Sequence, residues 1–98
     1  MTDLEINKAL ALAIGWTENK IESLPPYSLL LIHVKFGYGT LSRTFDYRDW
    51  NVIGPIAKRY RLVVDFDDNS VCDEFCENFY EGDTPQKAIA MAVIKGAT

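Results

Sequence analysis

Residues 28–47 divide into two faces at a spacing of two, about a glycine-flanked turn, a pattern that points to a β-hairpin. Leu30, Ile32, Val34 and Phe36 fall on one side of an extended chain, and Leu29, Leu31, His33 and Lys35 on the other. The second side starts apolar and ends polar, so its far end is expected to emerge into water. Gly37-Tyr38-Gly39 supplies a tight turn with two residues free to take positive φ. The chain then returns with Leu41, Arg43, Phe45 and Tyr47 alternating against Thr40, Ser42, Thr44 and Asp46.

Helical patterns flank this hairpin. Thr2-x-x-Glu5 is a capping box, followed at helical spacing by Ile6, Leu10, Ala13 and Ile14, with Glu5, Asn7 and Lys8 as polar positions. Gly15 closes this helix, expected over residues 3–14. Residues 17–27 read as a linker, because Pro25-Pro26 suits neither a helix interior nor a central strand. After the hairpin, Asp49 or Asn51 caps a second helix reaching about residue 60. Its apolar side holds Val52, Ile53, Ile56, Ala57 and Tyr60, with Lys58, Arg59 and Arg61 at its negative end. Pro55 fits best in a first turn, so a late start or a kink is expected. Residues 62–66 form a third strand, and Asp67-Asp68-Asn69-Ser70 a turn.

Residues 71–80 carry two signals. Val71, Cys72, Phe75, Cys76 and Phe79 fit an amphipathic helix, whereas their β-rich composition straight after a strand and a turn suits a second hairpin. The hairpin is slightly preferred. The last helix is capped by Asp83 or Thr84, opens on Pro85 and buries Ala88, Ile89, Ala92 and Val93, with Gly96 at its end. The expected fold is a single α+β domain over residues 1–98: a mostly antiparallel sheet of three or four strands packed by three helices, in the order α-β-β-α-β-(β or α)-α.

Charge narrows the function. Fourteen acids against ten bases leave a net charge of −4 on 98 residues, which argues against nucleic acid as the main ligand. The imbalance is local, since residues 65–83 hold eight acids and no base. Such a segment is either a solvated face or a docking surface for a basic partner. On the second reading the partner-binding residues are Asp65, Asp67, Asp68, Asp73, Glu74, Glu77 and Glu81. The N-terminus is acidic, and the longest apolar run, residues 29–32, falls far short of the roughly 20 residues that span a bilayer, so no membrane contact is expected.

Reactive chemistry is sparse, and no catalytic residue, metal or cofactor is expected. Cys72 and Cys76 are the only thiols; on one continuous strand they lie roughly 13 Å apart, so two buried, reduced thiols are the preferred reading. Asp65-x-Asp67-x-Asn69 resembles the start of a calcium loop, but Cys76 occupies the place of the closing bidentate glutamate. His33 lies mid-strand with Lys35 as a same-face neighbour and no nucleophile near it in sequence. An enzyme is therefore disfavoured. A rival reading is a weak single-strand nucleic-acid binder using Lys35, Tyr38, Arg43 and Arg48. A homodimer through an exposed sheet edge is another.

Several segments taken together resemble a known family. They are Asp3-Leu-Glu-Ile-Asn-Lys-Ala-Leu, Gly15-Trp16, Thr44-Phe-Asp-Tyr-Arg-Asp49, Val52-Ile53 with Pro55-Ile-Ala-Lys-Arg-Tyr60, and Asp83-Thr-Pro-Gln-Lys-Ala-Ile-Ala90 with Ala92-Val-Ile94. This set is similar to small proteins of tailed phages and prophages described as phage α/β/α-sandwich domains. The resemblance brings no catalytic residues. It implies a phage accessory protein acting in the bacterial cytoplasm. With the acidic segment, it sets the expectation of a protein that binds a host or phage protein with a basic surface, such as an anti-CRISPR-like inhibitor of a host defence or nucleic-acid-handling complex.

Overall fold

A computed structural model describes residues 1–96. The α+β class holds: three helices accompany six short strands arranged as two antiparallel three-stranded sheets. The chain divides into two compact units, one over residues 1–46 and one starting at Tyr47. The strands expected in one sheet are thus shared between two, because each unit builds its own.

In the first unit, α1 (Asp3–Ala13) starts at the expected capping box, where the Thr2 hydroxyl accepts from the Glu5 amide at 3.2 Å and the Glu5 carboxylate accepts from the Thr2 amide at 3.0 Å. It ends where Gly15 takes φ +109°, which lets the Trp16 amide fold back onto the Ala11 carbonyl. The segment read as a linker contains a strand, β1 (Ile21–Leu24), between two single 3-10 turns. β1 pairs with β2 (Leu29–Phe36), and β2 with β3 (Gly39–Phe45), in the order β1-β2-β3. Ser28, with φ 57°, turns the chain into β2. Helix α1 packs on β2, and Ile6, Leu10, Ala11, Leu30, Ile32 and Phe45 form the buried core of this unit. Asn7 is also fully buried, against its reading as a merely polar position; its amide nitrogen donates to the Ser28 carbonyl at 2.8 Å.

The second unit opens with α2 (Trp50–Arg59), capped by Asp49, whose carboxylate accepts from the Asn51 amide at 2.9 Å. The late start expected from Pro55 does not occur. The helix runs through the proline, so Asn51 O lacks the amide donor that any other residue at 55 would offer. Strands β4 (Val63–Asp65), β5 (Ser70–Cys72) and β6 (Phe79–Glu81) form an antiparallel meander, which settles residues 71–80 as hairpin rather than helix. Helix α3 (Pro85–Gly96) starts at Thr84, whose hydroxyl accepts from the Lys87 amide at 3.2 Å. It buries Ala88, Ile89, Ala92 and Val93 and packs on β5, β6 and α2. The connection from β6 to α3 passes so close to the helix that a Cβ on Gly82 would lie 2.8 Å from the Ala88 nitrogen.

Candidate functional site

The register of the second sheet decides where the acidic segment points. Three cross-strand rows succeed one another: Val63–Cys72–Phe79, Val64–Val71–Tyr80 and Asp65–Ser70–Glu81. Paired residues share a face and successive rows alternate, so the first and third rows face the same way. The middle row faces α3: Val71 is 1% exposed, and Lys95 Nζ lies 6.0 Å from the centre of the Tyr80 ring. The opposite, outward face therefore carries Val63 and Phe79 on either side of Cys72, and Asp65 and Glu81 on either side of Ser70.

The seven residues predicted from sequence fall into two groups at opposite ends of these strands. Asp65, Asp67, Asp68 and Glu81 gather at the Ser70 end, whereas Asp73, Glu74 and Glu77 occupy the loop after Cys72. Three have structural partners. Asp65 Oδ1 accepts from the amides of Asp67 and Asp68 at 3.0 and 3.3 Å, which shapes the β4–β5 turn and occupies the oxygen that a calcium loop would present. Asp73 closes its own loop, accepting from the Glu77 amide at 2.9 Å and the Asn78 side-chain amide at 3.0 Å. These donors, Asn78 first, hold its carboxyl below the ordinary aspartate pKa. Glu74 pairs with Arg61 at 3.3 Å. Asp67, Asp68, Glu77 and Glu81 are exposed and, among the described residues, have no side-chain hydrogen bond or ion pair.

The cysteines correct the sequence reading. Cys72 and Cys76 form a disulfide, with Cα atoms 4.8 Å apart. The 13 Å spacing assumed an unbroken strand, but β5 stops at Cys72 and the chain turns back, with Cys76 at φ 54° and its amide on the Asp73 carbonyl. Because Cys72 belongs to the outward row, the bond fastens the 73–78 loop to that face.

Apolar exposure on this face was not foreseen. Phe79 is 68% exposed, Phe75 on the disulfide loop 76% and Val63 53%. Phe66, at the other end, stacks on Trp50 with ring centres 5.8 Å apart. The sequence signal is present, since Phe66, Phe75 and Phe79 stand inside the acidic segment, but the helical periodicity places Phe75 and Phe79 on an apolar, buried side. The outward face thus carries exposed Val63 and Phe79 at the Cys72 end and Asp65 and Glu81 at the Ser70 end, with exposed Phe75 and Glu77 on the adjoining loop, an arrangement able to exclude water from a contact while selecting positive charge beside it.

The basic residues of the rival reading are not brought together. Lys35 shares a face with His33, and Arg43 with Ile32, so these two project from opposite sides of the first sheet. Among the described residues no three His, Cys, Asp or Glu side chains are grouped to hold a metal, and no helix is long and apolar enough to cross a membrane.

Fold and surface together define an α+β protein with two small antiparallel sheets, one of which presents an aromatic, acid-rimmed face. No protein-family model matches the chain, and neither a curated protein nor a solved structure matches it significantly.

Proposed function

We propose that this protein is a binding module that docks the outward face of β4–β5–β6 onto a partner protein with basic side chains surrounding an apolar depression. The observation that carries the reading is the exposure of Val63 and Phe79 on the outward face, and of Phe75 on the loop beside it, together with carboxylates that have no side-chain partner among the described residues. Exposed aromatics are the side chains that most often dominate a protein interface, and the carboxylates add steering and specificity. No residue is assigned to catalysis. In the phage setting that the sequence resemblance implies, the partner is a host defence or nucleic-acid-handling protein. Asp67, Asp68, Glu77 and Glu81 then take places that phosphates would occupy on it.

The test is affinity capture from the bacterial host, followed by binding measurements on the captured protein. F75A/F79A should lower affinity by well over tenfold, as expected for truncating two interface anchors of about 1–2 kcal/mol or more each. D67K/D68K/E81K should chiefly slow association and remove its salt dependence. A partner bound equally well by both variants would refute the proposal. The single-strand rival predicts a low-salt gel shift that weakens with added salt.

A further inference from the structure

The first unit offers a different kind of surface, a strand edge. Among the described residues β3 is hydrogen-bonded to β2 alone, and every residue from Gly39 to Thr44 is exposed. Helix α1 covers only one end of the sheet face to which Leu30, Ile32 and Phe45 belong. Beyond it the same face continues through Val34 to Leu41 and Phe36, which are 42% and 63% exposed. Along this seven-residue edge every second residue turns its backbone donor and acceptor outward, and neither proline nor lysine blocks it.

We propose that two copies of this chain pair antiparallel through β3, forming one six-stranded sheet. The strand is its own best match. A two-fold axis through Ser42, the middle residue of β3, overlaps all seven residues. It sets Ser42 against Ser42, Thr40 against Thr44, and Leu41 against Arg43 of the other copy. Hydroxyl pairs and an aliphatic arginine stem on leucine are favourable cross-strand neighbours. Charge and overlap select this register. Arg43 is the one charged residue of β3, and moving the axis to Arg43 would bring the two guanidinium groups directly opposite, whereas moving it to Leu41 would leave only residues 39–43 paired. At the strand ends Gly39 faces Phe45 of the second copy. With no side chain on Gly39 in the way, Phe36 reaches across it toward that copy's covered core. The overhanging apolar end of each protomer thereby gains a neighbour.

The experiment is sedimentation of the full chain over a concentration series, with crosslinking at defined positions. The expected mass is twice the 11.1 kDa of the protomer at high concentration. T40K/T44K sets introduced lysines opposite each other twice and should weaken association by on the order of tenfold. T40K/T44E makes both contacts attractive and should restore it, which separates the effect from misfolding. Under mild oxidation S42C should crosslink two chains, because residues on the axis fall within disulfide reach, whereas T40C should not. A protomer mass at every concentration overturns the proposal, and so does a dimer in which T40C crosslinks as readily as S42C. An extended segment of another protein occupying the edge would appear as the first of these outcomes.

Discussion

Asn7 and Ser28, twenty-one residues apart, are joined by a 2.8 Å hydrogen bond from a fully buried side-chain amide to the carbonyl of a residue in left-handed conformation. The same nitrogen lies 3.4 Å from Asp46 Oδ1, so one side chain links α1, the entry to β2 and the exit from β3. Asn7→Leu removes that donor and leaves buried acceptors behind. It should destabilise the fold by about 2–4 kcal/mol, measured by chemical denaturation. A loss below about 0.5 kcal/mol, the usual range for a surface change, would show that the bond is dispensable.

Two glycines should respond in opposite directions to the same substitution. A Cβ on Gly82 would meet the Ala88 backbone nitrogen at 2.8 Å, and backbone at the first turn of α3 has little room to retreat. Gly82→Ala should therefore cost about 1–3 kcal/mol. A Cβ on Gly54, inside α2, meets nothing within 4 Å. Gly54→Ala should stabilise by about 0.5–1 kcal/mol, because alanine loses less backbone freedom in a helix. Thermal melts of the two variants should move apart; stabilisation by both would contradict the packing described at Gly82, and destabilisation by both the open space at Gly54.

Local rules predicted most of the elements, and what they missed has physical causes. Thr2, Gly15, Asp49, Thr84 and the Gly37 turn act through neighbours one to four residues away, so their roles are readable without tertiary structure. β1 escaped notice because Ile21–Leu24 is a four-residue edge strand with Glu22 and Ser23 exposed, too short and too polar for periodicity to register. Asn7 was read as polar because its partners, Ser28 and Asp46, are remote in sequence. The acidic segment was legible as composition but not as geometry. Its division into two groups depends on where β5 stops, and its aromatic centre depends on which strand face α3 leaves uncovered.

The disulfide between Cys72 and Cys76 closes a very short loop, with a sequence separation of 4. The chain-entropy cost it removes from the unfolded state is correspondingly small, about 2 kcal/mol. A reductant, or C72S/C76S, should lower the unfolding free energy measured by chemical denaturation by about that amount without unfolding the chain. The loop retains the Asp73–Glu77 and Asp73–Asn78 hydrogen bonds after the sulfurs part. Hydrogen exchange should report faster opening confined to residues 73–78. Global unfolding on reduction would mean that the second sheet depends on the bond, contrary to this expectation.

Asp73 gives that loop a pH dependence with a defined sign. The Asn78 side chain and backbone amides, led by that of Glu77, donate to its carboxylate, so its folded pKa lies below the unfolded value, near 3.9 for a free aspartate. A group shifted in this direction binds fewer protons when folded. Its contribution is present in full above the unfolded pKa and fades as pH falls through the folded one. The carboxyl resonance of Asp73 should titrate below the ordinary aspartate value, and protection of the Glu77 amide should fall in step with it. Asp73→Asn should abolish that acid-linked loss while weakening the loop at neutral pH. If the Asp73 carboxyl titrates at or above the ordinary aspartate value, the loop is not held by its carboxylate, and the platform that presents Phe75 must be maintained by the disulfide alone.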